Sequence, residues 1–337
     1  MKNLAPAVSG SSADGRVRIE ASDGRLELSA YGQDSALTVM VPITSSDEVP
    51  LCAIVQGRLL VDFIGASDGS TTDVSLRDEL VVVHSGGSDL EIPHYLIDSW
   101  FSIAHVTINP AEWPADAPSQ LARVTHAAST DDPKPVLRGV ALGDGQAVAT
   151  DAHRLSMIEL PLGLDEQIIV PASALITLER LHDGVTPITV CTDGQHLTFA
   201  GPRWRLTTNL IEGEFPAWQS AIPAPAEPAI RAYGDLMLTA LHRIKLVAGK
   251  VDLKKIQIEA VDDEWLRIWA DLPEVGRQED IVQGTTTHDR VQFNLDHLTR
   301  AVTHLNKATV EIEMASPTSP AVIRADGYLA LIMPIRG

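Results

Sequence analysis

The chain has 337 residues, 45% of them apolar and only 4% aromatic. That is enough for two or three domains with mainly aliphatic cores, and it excludes global disorder. The formal net charge of −19 excludes a protein that coats a polyanion with its whole surface, but not one whose positive charge is gathered on one face. The two cysteines, Cys52 and Cys191, have no CxxC spacing, so buried free thiols are expected rather than a disulfide framework or a zinc site. No apolar run reaches the length of a membrane span, and none follows Lys2 to make a signal peptide. A reducing cytoplasm is the expected setting.

In chain order, Ser9 to Gly15 reads as a loop and Arg18-Ile19-Glu20 as a strand. Asp23-Gly24 is a turn pair leading into the alternating run Arg25 to Ala30, which predicts a hairpin arm with one face buried. A short strand at Val55 precedes a helix over Gly57 to Gly65, with Leu59, Leu60, Phe63 and Ile64 at helical spacing. Ser88 to Ile92 reads as an edge strand, and a linker is expected near Asp98 to Phe101.

The same signals return twice. Gln120 to Ala128 predicts an early helix, and Asp144-Gly145 a second hairpin turn running on to Thr150. A strand at Val170-Pro171 precedes a helix with Ser173 as cap and Leu175, Ile176, Leu178 and Leu181 on its apolar stripe. Two β-like segments follow, Ile188 to Val190 and Leu197 to Phe199. After the proline-rich linker Ile222 to Pro228 come a helix over Asp235 to Ala248 and a hairpin arm over Asp263 to Ala270. A strand at Phe293-Asn294 then leads to a helix with Leu295, Leu298, Val302 and Leu305. The segments Val310 to Ile312 and Ala321 to Ile323 end the series.

Val55, Val170 and Phe293 open equivalent segments 115 and 123 residues apart, a domain-sized period. We expect three α+β domains of one fold, at 1–100, 101–224 and 225–337. The first has no counterpart to the strand and helix that open the others, so an N-terminal strand and helix are expected to be missing. Locally basic helices stand out in the acidic chain. Leu238 to Lys255 holds Arg243, Lys245, Lys250, Lys254 and Lys255 against the single acid Asp252. Arg300 and Lys307, and Arg123 and His126, lie in stretches without an acid.

No GxSxG, HExxH or GxxxxGK[ST] motif occurs, and no metal or cofactor is expected. Asp151 and His153 sit two apart, which on a strand puts both on one face as an acid–base pair would be, but no nucleophile or metal ligand stands beside them, so no enzyme is expected.

Three motifs carry a family resemblance: Val148-Ala149-Thr150-Asp151-Ala152-His153-Arg154-Leu155; Leu210-Ile211-Glu212-Gly213-Glu214-Phe215-Pro216 with Ile222-Pro223; and Tyr328-Leu329 through Met333-Pro334-Ile335-Arg336. In this order they resemble the bacterial DNA polymerase III beta subunit, the DNA sliding clamp. The resemblance implies three clamp domains with helices lining a central hole and antiparallel sheets outside, closed head to tail into a dimeric ring. It implies a cytoplasmic processivity factor in DNA replication. The partners would be double-stranded DNA, held weakly and without sequence preference, and polymerase and clamp-loader subunits that dock short linear motifs.

Carried over residue by residue, the implied docking pocket comprises Leu137, Thr150, Ala152, His153, Arg154, Leu155, Pro216, Ala221, Asn294, His297, Thr318, Leu331, Met333, Pro334, Ile335 and Arg336. The implied DNA-facing residues are Arg123, His126, Arg180, Arg243, Lys245, Lys250, Arg300 and Lys307. The implied dimer interface sets Leu90 and Ile92 against Leu246 and Val247. This sequence departs from the family at Ala152, where glycine is usual, at Ser220 and Ala221, which replace bulkier residues, and at His297, which replaces a frequent aromatic. The short first domain leaves two readings: a working, reduced clamp, or a clamp-like regulator that keeps the pocket without encircling DNA.

Overall fold

The computed structural model describes residues 15–32, 34–44, 51–67, 71–95, 105–248, 255–272, 276–305, 309–325 and 327–335. The expected first linker and the question of a missing N-terminal strand and helix fall outside them, as do Lys250, Lys254, Lys307 and Arg336. The described chain is α+β, and one order of elements recurs. It runs first as β1 (Arg16–Ser22), β2 (Arg25–Tyr31), β3 (Ser35–Pro42), β4 (Leu51–Gln56), α1 (Gly57–Ala66), β5 (Thr72–Arg77), β6 (Leu80–Ser85) and β7 (Ser88–Pro93).

The second round opens with β8 (Ala111–Trp113) and α2 (Ala117–Thr125). It continues through β9 (Gly139–Gly143), β10 (Gln146–Thr150), β11 (Arg154–Glu159), β12 (Ile168–Pro171), α3 (Ala172–Leu181), β13 (Ile188–Thr192), β14 (His196–Gly201) and β15 (Trp204–Asn209). The third opens with β16 (Pro228–Tyr233) and α4 (Gly234–Ala248). It ends with β17 (Lys255–Ala260), β18 (Trp265–Leu272), β19 (Gly276–Thr286), β20 (Val291–Asn294), α5 (Leu295–Thr303), β21 (Thr309–Glu313), β22 (Ala321–Ala325) and β23 (Tyr328–Ile332).

Two compact units result, one of residues 1–119 and 170–211, the other of 120–169 and 212–337. The first holds an eight-stranded sheet, β4-β1-β2-β3-β15-β14-β13-β8, and the three-stranded sheet β5-β6-β7. The second is built on a twelve-stranded sheet, β12-β9-β10-β11-β23-β22-β21-β16-β19-β18-β17-β20. Each large sheet is joined across its interior by the same kind of antiparallel pair, β3 with β15 in one and β11 with β23 in the other.

The local chemistry explains the elements. Asp23 and Gly24 both take positive φ, 49° and 74°, as do Asp144 and Gly145, 52° and 72°. Two left-handed residues make the hairpin turn that matches strand twist. The third hairpin uses a different device: Asp262 Oδ1 accepts the amides of Glu264 and Trp265 at 2.9 and 3.0 Å.

The helix stripes follow the sequence. α5 buries Leu295, Leu298, Ala301 and Val302, with Leu305 buried beyond its end, and α3 buries Leu175, Leu178 and Leu181. Two details differ. Ser173 does not cap α3, because the helix starts at Ala172 directly after Pro171 and Ser173 already lies in its first turn. Leu59 is exposed while Leu60 is buried, since a helix of this length presents one face to the sheet. Among the described residues no helix is long and apolar enough to cross a membrane, and no group of three His, Cys, Asp or Glu could hold a metal ion. Cys191 is buried and Cys52 half-buried, and both are free.

Candidate functional site

The centre of the site is the turn between β10 and β11. Thr150 ends β10 opposite Leu155, and its Oγ1 donates to the Arg154 carbonyl at 2.7 Å. Asp151 organises the rest. Its Oδ1 accepts the amides of His153 and Arg154 at 3.0 and 2.9 Å, and its Oδ2 accepts from Arg154 Nε at 2.8 Å. Both side chains are only 14% exposed, so the ion pair is largely withdrawn from water. Ala152 stands at φ 69°, in the left-handed region that a Cβ disfavours. The expected glycine position is therefore strained, and the turn holds it through the Ala152 amide on Thr150 Oγ1 at 3.2 Å.

The C-terminal tail closes onto this turn. β23 lies antiparallel on β11, with Leu155 opposite Leu331 and Arg154 opposite Ile332. Beyond the strand, the Met333 amide donates to the His153 carbonyl and the Ile335 amide to the Gln292 carbonyl, each at 2.9 Å. One tail thus ties the turn to β20. The helix that follows β20 is capped by Asn294, whose Oδ1 accepts the amides of Asp296 and His297 at 2.9 and 3.1 Å. Asn294 is one of the implied pocket residues. Its oxygen is committed to the cap.

Electrostatics confirm the convergence. Burial, reinforced by Arg154 and His153 against the opposing pull of Asp151 and Asp296, lowers the His297 imidazole to about 4. His297 is therefore a neutral ring beside the Arg154 guanidinium, able to accept or donate one hydrogen bond. Leu155 and Leu331 supply buried apolar surface, and Met333 and Ile335 are half-buried. The arrangement sets apolar side chains beside a guanidinium and a neutral imidazole, the mixture of anchoring and directional groups that binding surfaces use.

The structure thus brings together Thr150, Ala152, His153, Arg154, Leu155, Asn294, His297, Leu331, Met333, Pro334 and Ile335. Leu137 is buried in a 3-10 turn, Pro135–Arg138, and a Cβ on Gly213 would come within 2.9 Å of its neighbour Val136. Pro216 and Ala221 are exposed around a second 3-10 turn, Trp218–Ala221, and Thr318 is exposed between β21 and β22. No described bond joins these four to the turn at 150–154.

Of the residues expected to face DNA, Arg180 and Arg300 are exposed. Arg243 pairs with Asp280 at 2.8 Å and Lys245 with Asp296 at 2.5 Å. Arg123 bonds Gln120 at 2.9 Å and lies 5.0 Å over the Tyr328 ring. His126 is placed differently from the expectation. α2 ends at Thr125, and His126 turns inward, where Nε2 meets Ser156 Oγ at 3.2 Å and the Tyr328 hydroxyl at 3.4 Å. Burial, with Arg154, His304, Arg300 and His297 facing it, holds this histidine down to about 3. Burial likewise pushes Tyr328 up to about 12.

At the expected dimer contact, Leu90 is half-buried but Ile92 is 2% exposed, packed into its own sheet. Leu246 is 76% exposed and Val247 half-buried.

Sequence reasoning missed Asp151 as the organiser, although its place two and three residues before two amides is the signature of an Asx turn. It also missed the Ser156–His126–Tyr328 cluster, whose partners are as much as 202 residues apart.

Comparison with known proteins bears on this geometry. Residues 117–217 match the family model of the DNA polymerase III beta subunit, central domain, and residues 219–336 match that of its C-terminal domain. The beta sliding clamp of Bacillus subtilis is 22% identical over 347 residues, covering 95% of this chain and 91% of that protein. A crystal structure of the DNA polymerase sliding clamp from Bacillus subtilis shares the fold with TM-score 0.80 and 20% identity, covering 100% of this chain and 96% of that one. The DNA polymerase III beta subunit from Thermotoga maritima does so with TM-score 0.81 and 19% identity, at the same coverage.

Proposed function

This chain belongs to the DNA polymerase III beta subunit family, and on that premise we propose that it is a DNA sliding clamp, a tether rather than a catalyst. The observation that carries the reading is the main-chain bond from Met333 to His153 at 2.9 Å, which draws the tail onto the turn that presents Arg154. A partner's short motif would lay its apolar anchors against Leu155, Leu331 and Met333 and its polar groups against Arg154 and His297.

The chain is read as three clamp domains, 1–100, 101–224 and 225–337, closing head to tail with a second copy around duplex DNA. Among the described residues β7 ends its sheet, which supports this reading, because an edge strand needs covering and a strand continued across a subunit boundary covers it. Leu90 and the exposed Leu246 are the apolar contacts of that seam. Ile92 serves its own core instead.

Direct DNA affinity is weak in this reading. Arg180 and Arg300 present their charge to solvent, whereas the pairs with Asp280 and Asp296 temper Arg243 and Lys245. The same tempering supports the second reading, a clamp-like regulator that binds docking motifs without encircling DNA.

One pair of experiments separates the readings. Arg154→Ala with Met333→Ala is expected to abolish binding of a docking-motif peptide and leave the oligomeric state unchanged. Unchanged peptide binding would remove the site assignment. Loading onto nicked circular DNA by a clamp loader, lost when the circle is linearised, is expected of a ring, and failure to load with peptide binding intact would establish the regulator.

A further inference from the structure

The two units carry the same corner. In the second, Ile158 of β11 stands opposite Tyr328 of β23, and the Glu159 amide donates to the Gly327 carbonyl at 2.8 Å. His304, the C-cap of α5, sets its ring 6.2 Å from Tyr328 at 65°. In the first, Val39 of β3 stands opposite Trp204 of β15, and the Met40 amide donates to the Arg203 carbonyl at 2.8 Å. His182, the C-cap of α3, sets its ring 6.5 Å from Trp204 at 87°. Residue for residue, Trp204 answers to Tyr328 and His182 to His304.

What lies on the two corners differs. On Tyr328 lies a helix of this chain: α2 buries Leu121 and Val124, Arg123 sits over the ring, and His126 stacks on His304 at 6.2 Å. At Trp204 there is a cavity of about 520 Å³, walled by Met40, Val41, Leu181, Pro187, Ile188 and Trp204 itself. That volume is within the range of binding clefts.

Its rim is held by a set of hydrogen bonds. His182 Nε2 donates to the Thr186 carbonyl, and its Nδ1 accepts the Gly184 amide at 2.8 Å. Asp183 accepts the amides of Val185 and Thr186 at 2.9 Å and the Thr186 hydroxyl at 3.0 Å. Those bonds keep the Asp183 carboxylate ionised, and Val185 projects beside it 79% exposed.

We propose that this groove of the first unit is a docking site for a short amphipathic helix supplied by a partner protein, with a leucine–valine face turned to Trp204 and a basic residue directed at Asp183. Two observations choose that occupant. The matching corner of the same chain is filled by such a helix, whose segment Gln120 to Ala128 contains Arg123 and no acid. The rim also offers a fixed negative charge for the basic residue, while Arg203, another lining residue, suits the carbonyl end of a helix. The site shares no residue with the turn at 150–154.

The probe is a fluorescein-labelled peptide with the sequence of residues 115–129, titrated with the full chain and followed by anisotropy. Saturable binding is expected, weakened at least tenfold by Met40→Glu or Pro187→Glu in the protein and by Arg123→Glu in the peptide, and unchanged by Arg154→Ala. No binding, or binding that both groove variants leave intact, overturns the proposal. Binding gained only after removal of residues 1–14 would make the chain's own N-terminal residues the occupant. Dissociation of an oligomer by Met40→Glu, seen in light scattering, would make a second copy the occupant. Either outcome overturns the assignment to a partner.

Discussion

One carboxylate holds Arg154 at both ends: Asp151 Oδ2 accepts from its Nε at 2.8 Å and Oδ1 from its amide at 2.9 Å. Charge-assisted bonds of this kind contribute about 1.5–3 kcal/mol each when partly buried. Asp151→Asn keeps the size of the side chain but loses the charge that fixes the guanidinium. It is expected to lower stability by about 1–2 kcal/mol and docking-peptide affinity by a further amount that Arg154→Ala abolishes. Urea melts and peptide titration measure the two effects. If Asp151→Asn leaves peptide affinity untouched, Asp151 supports the turn alone and does not position Arg154.

Ala152 pays for its left-handed φ of 69°. Ala152→Gly removes a backbone penalty of about 1 kcal/mol, part of which glycine returns as unfolded-state entropy. A net gain in melting temperature is expected. Ala152→Val, with a branched Cβ at the same φ, should lower it. A loss of stability in the glycine variant would mean that the turn is not strained.

Two buried histidines give stability a pH dependence of definite sign. Folding lowers His126 from 6.5 to about 3 and His297 from 6.5 to about 4. Between those values the unfolded chain binds the extra protons, so stability is fully present above about pH 6.5 and falls as the solution is acidified towards 4 and then 3. Each proton contributes about 1.4 kcal/mol per pH unit within its window. His126→Phe should flatten the slope of chemical-denaturation stability between pH 6 and 4, and an unchanged slope would place the titration elsewhere.

Salt dependence distinguishes exposed from tethered cations. Arg300→Ala should reduce the slope of log binding constant against log salt by about 1 for loaded or linear duplex. Arg243→Ala should change it less, because Asp280 holds that guanidinium at 2.8 Å. Equal effects would show that the ion pair opens on DNA.

Leu246→Asp places a charge on an apolar side chain that is 76% exposed in the single chain. Light scattering should report monomers where the unmodified chain is dimeric, with the far-ultraviolet spectrum retained. A dimer that survives both Leu246→Asp and Leu90→Asp forms through another surface.

The repeat rhythm is legible in the sequence because its signals are local. Turn pairs such as Asp144-Gly145 and apolar stripes such as Leu295, Leu298 and Val302 need only neighbours a few residues away. Much of the proposed docking site is legible through the family's motifs, which contain Thr150, His153, Arg154 and Met333. The inward turn of His126 is not, because a histidine at the end of a helix reads the same whether it meets solvent or Ser156. Nor is the taming of Arg243 and Lys245, whose partners Asp280 and Asp296 lie 37 and 51 residues on. The Trp204 groove depends on β3 and β15 meeting, a contact no local pattern announces.

The pairing of β23 with β11 also sets a time. Translation makes the turn at 150–154 early and residues 331–335 after the other described elements. Until the tail emerges and folds back, Arg154 faces no Ile332, and the His153 carbonyl has no Met333 amide. A chain still on the ribosome therefore carries half of the proposed pocket. In the proposed function, a docking motif finds its full surface only after residues 331–335 have folded back onto that turn.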